Sequence, residues 1–381
     1  MERHKTFSAL LTTPVCLLWL AGCGWGSAPA DSSVDEDPAE AIDDRPAADP
    51  QAASPAVAPP AADRRLKVGD RFPLMKTVAQ TLQQPSPDGW ITSRSTLEML
   101  MLVTVEEIRP TDGQPPGLDP RPGQKRLQVN YQRVRFSEEL PGQPRVDYDS
   151  SAPPPSIPRA ALGFHGLKDN GFGFWLGADN QLVELAGFDQ FVGRCLNAVP
   201  PERRQQAGAA MTLPPAEALA SFIDDTVGVL PASAAREGDS WVRDRQVVQP
   251  VALHVSNRYT LRRMTPELAE IEILGTIAPP VPHGSINPSN GHVRVSVRGG
   301  RTQGACLLDR RTGLPAESRA EQTLEMTVRI PDGSEFDQHK STLTTIKSVP
   351  DAVSPPAKME QATSPGAPPP PRLAQGAGDA R

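Results

Sequence analysis

Thr323-Leu324-Glu325-Met326-Thr327-Val328-Arg329-Ile330, with Pro331-Asp332-Gly333 after it, is the stretch that decides the fold. Leu324, Met326, Val328 and Ile330 alternate with Thr323, Glu325, Thr327 and Arg329, which is a strand with one apolar and one polar face. Pro-Asp-Gly is turn chemistry, and Phe336 to Ile346 returns as the partner strand. A face this polar suits an antiparallel sheet with one side in water. The other side then needs a cover, and helices supply it.

Working backwards, His292 to Val297 alternates, and Ala305 to Leu308 continues it after Gly299-Gly300. Leu268 to Ile277 alternates strongly, and Val247 to Met264 reads as two strands broken at Pro250. In the first half, Phe72 to Leu82 alternates weakly and Thr96 to Ile108 clearly. Arg126 to Phe136 pairs with the latter across the Pro/Gly loop Pro110 to Pro122. Leu127, Val129 and Tyr131 keep odd register, which slips to Val134 and Phe136, so a bulge is predicted there. Gly171 to Gly177 and Gln181 to Leu185 form another hairpin around Ala178-Asp179-Asn180. Two helices are expected. Phe188, Phe191, Val192, Cys195 and Leu196 line one, and Leu219, Phe222, Ile223 and Val227 line the other, Ala216 to Val227. The class expected is therefore α+β and β-rich: a large curved antiparallel sheet with two or so helices on its concave side.

Composition separates this domain from its ends. The chain has 381 residues and 43 prolines, and the prolines cluster outside the strands. Gly24 to Asp63 carries nine acids against one base, with too few apolar residues to offset ordering entropy. The tail after Val349 is similarly Pro-rich. Because the whole chain is −6, the part between these ends is close to neutral, which speaks against nucleic acid as a partner. At the start, Arg3 and Lys5 precede an apolar run from Phe7 to Leu20, too short and too interrupted by Thr12, Thr13 and Pro14 to span a bilayer. Leu20-Ala21-Gly22-Cys23 follows. That is a secretory signal with a cysteine at the cut, and it resembles the lipobox of bacterial lipoproteins. The resemblance implies cleavage before Cys23, a diacylglycerol on its thiol and an acyl group such as palmitate on its amine. The expected division is 1–22 signal peptide, 23–65 disordered tether, 66–349 one domain and 350–381 disordered tail.

Catalytic and metal motifs are missing. No two of the six histidines lie three to five residues apart, and there is no HExxH, CxxC, Walker loop, GxGxxG or GxSxG. The reading is non-enzymatic, with no cofactor and no metal. Asp239 and Asp309 sit beside turn signals and are read as turn acceptors. Cys195 and Cys306 fit either one disulfide of an exported protein or two buried thiols, and spacing does not choose. Phe172, Phe174 and Trp175 concentrate aromatics between glycines. They read as a core hairpin or as the wall of an apolar ligand groove.

Several phrases resemble a family of bacterial envelope lipoproteins of unknown function. They are Leu66 to Phe72, Phe174-Trp175-Leu176 with Asp179 to Leu185, Arg236-Glu237-Gly238-Asp239-Ser240-Trp241, and Gly304 to Pro315. That family is similar in turn to the LolA/LolB-like half-barrel. The resemblance implies a half-barrel whose concave side receives acyl chains, and brings no catalytic residues. Two functions follow. One is a lipid-anchored envelope protein binding a hydrophobic ligand or lipid in its groove. The alternative is a structural or interaction protein of the envelope with a filled core. In both, the partner membrane is reached through Cys23. Gly24, in place of an inner-membrane Asp signal, points to the outer membrane, with the domain facing the periplasm or exterior.

Overall fold

The alternation in 323–330 becomes the C-terminal part of a long strand in the computed structural model, which describes residues 66–110, 122–177, 182–210, 235–247, 253–279, 294–330 and 333–349. Twelve strands occur among them. The first half contributes β1 (Arg71–Ser86), β2 (Gly89–Pro110), β3 (Pro122–Glu139), β4 (Val146–Asp149), β5 (Gly171–Leu176) and β6 (Leu182–Ala186). The second contributes β7 (Ser240–Val247), β8 (Leu253–Met264), β9 (Leu268–Ala278), β10 (Arg294–Asp309), β11 (Pro315–Arg329) and β12 (Glu335–Ser348). Three short helices are α1 (Leu162–His165), α2 (Phe188–Asn197) and α3 (Arg204–Ala210). The fold is a β-rich α+β arrangement.

All twelve strands join one open antiparallel sheet in the order β6-β5-β3-β2-β1-β12-β11-β10-β9-β8-β7, with β4 paired to β3 off this path. The first strand pairs with the last, Lys76 opposite Ile346 and Gln80 opposite Thr342, so the two halves meet at the centre. The two edges, β6 and β7, are neighbours in the chain, and α2 and α3 lie in the connection between them.

Turn chemistry sets these pairings. Between β10 and β11 the Asp309 carboxylate accepts the Arg311 backbone N–H at 2.8 Å, and Gly313 takes φ of 70°. Asp239 accepts the Arg236 N–H at 2.7 Å before β7, so both aspartates act in turns as read. The predicted bulge is present: Leu100 faces Arg133 and Met101 faces Tyr131, leaving Gln132 as the extra residue. One hairpin was missed. β1 and β2 extend toward each other and turn at Pro87-Asp88, Ser86 facing Gly89.

Apolar residues of β1, β2, β3 and β5 form the largest core cluster, and α1 and α2 cover it with Leu162, Phe164, Phe188, Phe191 and Cys195. Helix α2 presents the face its periodicity predicts. The second predicted helix, 216–227, lies outside the described residues, as do the signal, Cys23, the tether and the tail. A further cluster joins Tyr259, Leu261, Ile271, Ile273, Cys306 and Leu308 on β8, β9 and β10.

Of the two cysteine readings, the structure has the buried thiols. Cys195 and Cys306 are both free and buried. Cys195 belongs to the helix-covered cluster and Cys306 to the β8–β10 cluster, so each thiol acts as a small apolar side chain. Burial pushes both thiols up to about 12.

Candidate functional site

A row of polar side chains crosses the inward face of the sheet. Strand register sets Arg243 opposite Asn257, Asn257 opposite Gly275, and Gly275 opposite Thr302. The row continues from Thr302 to Gln322, to Thr342, to Gln80, to Ser95 and to Glu138. It runs through nine strands without one apolar side chain. Thr302, Thr342, Gln80, Ser95 and Glu138 are buried, so this is not a solvated face.

Apolar residues lie on both sides of the row. One step along the strands on the first side are Val78, Leu97, Phe136, Ile273 and Tyr259. On the other, Leu82, Val297 and Met326 form a third cluster with Leu253, Val295 and Leu324. Three further polar residues, Lys340, Gln338 and Gln84, interrupt that side. Lys340 is 5% exposed, and burial lowers its pKa to about 8. Gln338, 2% exposed, donates from Nε2 to Gln84 Oε1 at 2.7 Å.

Several polar atoms here are buried without a hydrogen-bond partner among the described residues: Thr302 Oγ1, Asn257 Oδ1, Gln338 Oε1 and Trp241 Nε1. Each such group costs free energy that an apolar side chain of similar shape would not. Gly300 and Gly304 flank Thr302 on β10 and Gly275 stands opposite on β9, and neighbouring side chains fill the room they leave: Asn257 Oδ1 occupies the place of a Gly275 Cβ, and Leu324 crowds that of a Gly300 Cβ. A Cβ on Gly300 would collide with the Thr323 carbonyl, and one on Gly304 with the Arg319 carbonyl. The arrangement offers donors and acceptors, uncharged at its centre and with the ionisable Arg243 and Glu138 at its ends, beside buried apolar side chains. It holds no nucleophile activated by a base, and no group of three metal ligands occurs among the described residues.

The aromatic hairpin is packed. Phe174 is completely buried, and the Phe172 ring centre lies 5.2 Å from that of Phe191, tilted, and 5.4 Å from that of Phe188, edge to face. Gly171 permits this, since a Cβ there would strike the Val129 carbonyl. Trp175 points to the opposite face, 5% exposed, with the Arg109 guanidinium 3.8 Å above its ring. Phe172 and Phe174 thus take the core-hairpin place, not an open wall. His165 is tied through Nδ1 to the Tyr148 hydroxyl at 2.9 Å, and burial lowers its pKa. His283 and His292 lie outside the described residues.

Sequence reasoning missed the polar row. A signal existed: once Leu324 and Met326 point inward, Gln322 must as well.

The profile of a family of unknown function, DUF6263, matches residues 122–315, just over half of the chain. No curated protein matches. Among solved structures, one of lipovitellin, described by its lipid–protein interactions, is 8% identical with a TM-score of 0.39, covering 74% of this chain and 25% of its own. This chain therefore spans about a quarter of that protein's length. DynF from the dynemicin biosynthesis pathway of Micromonospora chersina is 8% identical with a TM-score of 0.19, covering 75% of this chain and 85% of its own. A DUF1329 family protein from Desulfovibrio piger ATCC 29098 is 8% identical with a TM-score of 0.12, covering 73% and 85%. Likeness at this level carries no functional argument.

Proposed function

This chain belongs to the family of unknown function DUF6263, and we propose that it is a lipid-anchored, non-enzymatic protein of the bacterial cell envelope that holds a hydrophobic ligand against the inward face of its sheet. The anchor is Cys23, and Gly24 to Arg65 is the tether between lipid and domain. The absence of an Asp after Cys23 favours the outer membrane, with the domain in the periplasm or outside. The ligand reading extends the LolA/LolB-like resemblance of the sequence.

One observation carries it. The cluster of Leu82, Val297 and Met326, with Leu324, Val295 and Leu253, is built from four strands, and no helix among the described residues contributes to it. Leu82, Val297 and Met326 are 9%, 5% and 1% exposed, so an alkyl chain enters here by displacing what covers them and then lies among aliphatic side chains with polar groups beside it. The alternative, a structural envelope protein with a filled core, draws on the packed state of Phe172, Phe174 and Phe191.

The test uses the full chain carrying Cys23→Ser, exported without lipid and purified gently. Native mass spectrometry that finds co-purified lipid supports the binding reading. A clean apo mass from several hosts supports the filled core. Metabolic palmitate labelling of the unaltered chain, lost in Cys23→Ser, checks the anchor separately.

A further inference from the structure

We propose that the outward face of the sheet carries a second site, an open trough that takes a saccharide chain laid across β1, β12, β11 and β10. It lies on the opposite side of the sheet from the alkyl patch and does not depend on that reading.

Strand register builds the trough. The outward residues Gln83, His339 and Glu325 stand opposite one another on β1, β12 and β11, and Thr81, Ser341, Thr323 and Arg301 form the next outward row. Where the first row reaches β10 it meets Gly299, and an added Cβ there would approach only the Ile277 carbonyl, at 3.8 Å. The missing side chain leaves the floor low. The space above these residues is about 760 Å³, inside the range of about 300–1,000 Å³ usual for small-molecule sites. Four neighbouring strands make it about 14 Å across, which suits a short chain of rings better than a single ring.

The lining points to the chemical class. Trp90 is 58% exposed, and its ring centre lies 5.4 Å from that of His339, so a large aromatic surface stands open at the β1 end. Among the described residues, Thr81, Gln83, Thr323 and Arg301 have no side-chain hydrogen bond or ion pair, so their donors and acceptors face solvent unused. Arg301 and Glu325 bring opposite charges to one trough, which would repel part of any polyanion or polycation. A saccharide matches both features. Its C–H faces lie against the negative face of an indole, and its hydroxyls both donate and accept. A trough over sheet backbone favours an extended β-1,4-linked ribbon over a coiled α-1,4-linked chain.

The experiment uses the full Cys23→Ser chain and isothermal titration calorimetry with chitotetraose, cellotetraose and maltotetraose. A β-1,4-linked chain should bind, and maltotetraose should bind about tenfold or more weakly. Tighter chitotetraose would identify an N-acetylated, cell-wall-like strand as the source, and tighter cellotetraose an unmodified glucan. Trp90→Ala should weaken binding about tenfold or more, the loss expected for an aromatic anchor, and Trp90→Phe should restore most of it. Gly299→Leu fills the trough where a side chain has room, and should abolish binding. The urea midpoint of each variant checks its fold, and the sugar ranking of the unaltered protein decides if one unfolds. No binding of either β-1,4 chain, equal binding of maltotetraose, or binding that survives both Trp90→Ala and Gly299→Leu would overturn the proposal. None of these results bears on alkyl binding at the inward face.

Discussion

Replacing Thr302 with Val should make the protein more stable. The side chain is 3% exposed, and its hydroxyl is buried without a hydrogen-bond partner among the described residues. Burying an unsatisfied hydroxyl costs about 1–3 kcal/mol, and valine keeps the shape while removing the penalty. Its β-branched side chain suits the middle of β10 as well as threonine does. A gain of about 1–2 kcal/mol, at a denaturant slope near 3 kcal/mol per molar urea, should raise the unfolding midpoint by about 0.3–0.7 M. Thr302→Ala separates the polar effect from the packing effect, because it removes the hydroxyl and a methyl together, and it should fall below Thr302→Val. The readout is equilibrium urea unfolding followed by tryptophan fluorescence. A midpoint for Thr302→Val at or below that of the unaltered protein would refute the reasoning, for it would mean that the hydroxyl is satisfied.

Three further outcomes follow from the same structure. Phe174→Ala should cost about 3–5 kcal/mol in urea unfolding because the ring is completely buried, and the folded fraction should still take up alkyl probe, since Phe174 packs in the helix-covered core. A maleimide at neutral pH should leave Cys195 and Cys306 unlabelled in the native protein and label both in urea without reductant, where a disulfide would give no label; burial holds both thiols near 12. Burial lowers Lys340 to about 8 from 10.5, so between those values the unfolded chain binds a proton that the folded chain has released. Stability contributed through this group therefore rises with pH across that window, and Lys340→Met should remove the rise. Parallel stability–pH curves for the two proteins would contradict it.

What could be read from the chain was whatever is encoded within one element. The alternation of Leu324, Met326 and Val328, the slip near Arg133 and the stripe of Phe188, Phe191 and Cys195 each lie inside about a dozen residues, and each reappears in the structure. The polar row could not be read that way. Its members are Gln80, Ser95, Asn257, Thr302, Gln322 and Thr342, which meet only because β1 pairs with β12 and the remaining strands keep register. In each strand taken singly, an inward Gln or Thr looks like an irregularity of the pattern. The cysteine question stayed open in the sequence for the same reason, since pairing depends on which cluster each cysteine joins. The hairpin at Pro87-Asp88 was legible and overlooked, because Gln83, Gln84 and Pro85 hide the alternation before it.

On the proposed function a ligand's chain lies on the inward face of β1, β10 and β11, beside Leu82, Val297, Leu324 and Met326. The most direct measurement is photo-crosslinking of the full Cys23→Ser chain with a diazirine-bearing long-chain fatty acid, mapped by peptide mass spectrometry. Labels are expected on the inward residues Val297, Leu324 and Met326, competed by unlabelled long-chain fatty acid. Labels confined to outward residues such as Arg301, Thr323 and Glu325, or labels that no competitor reduces, would contradict it.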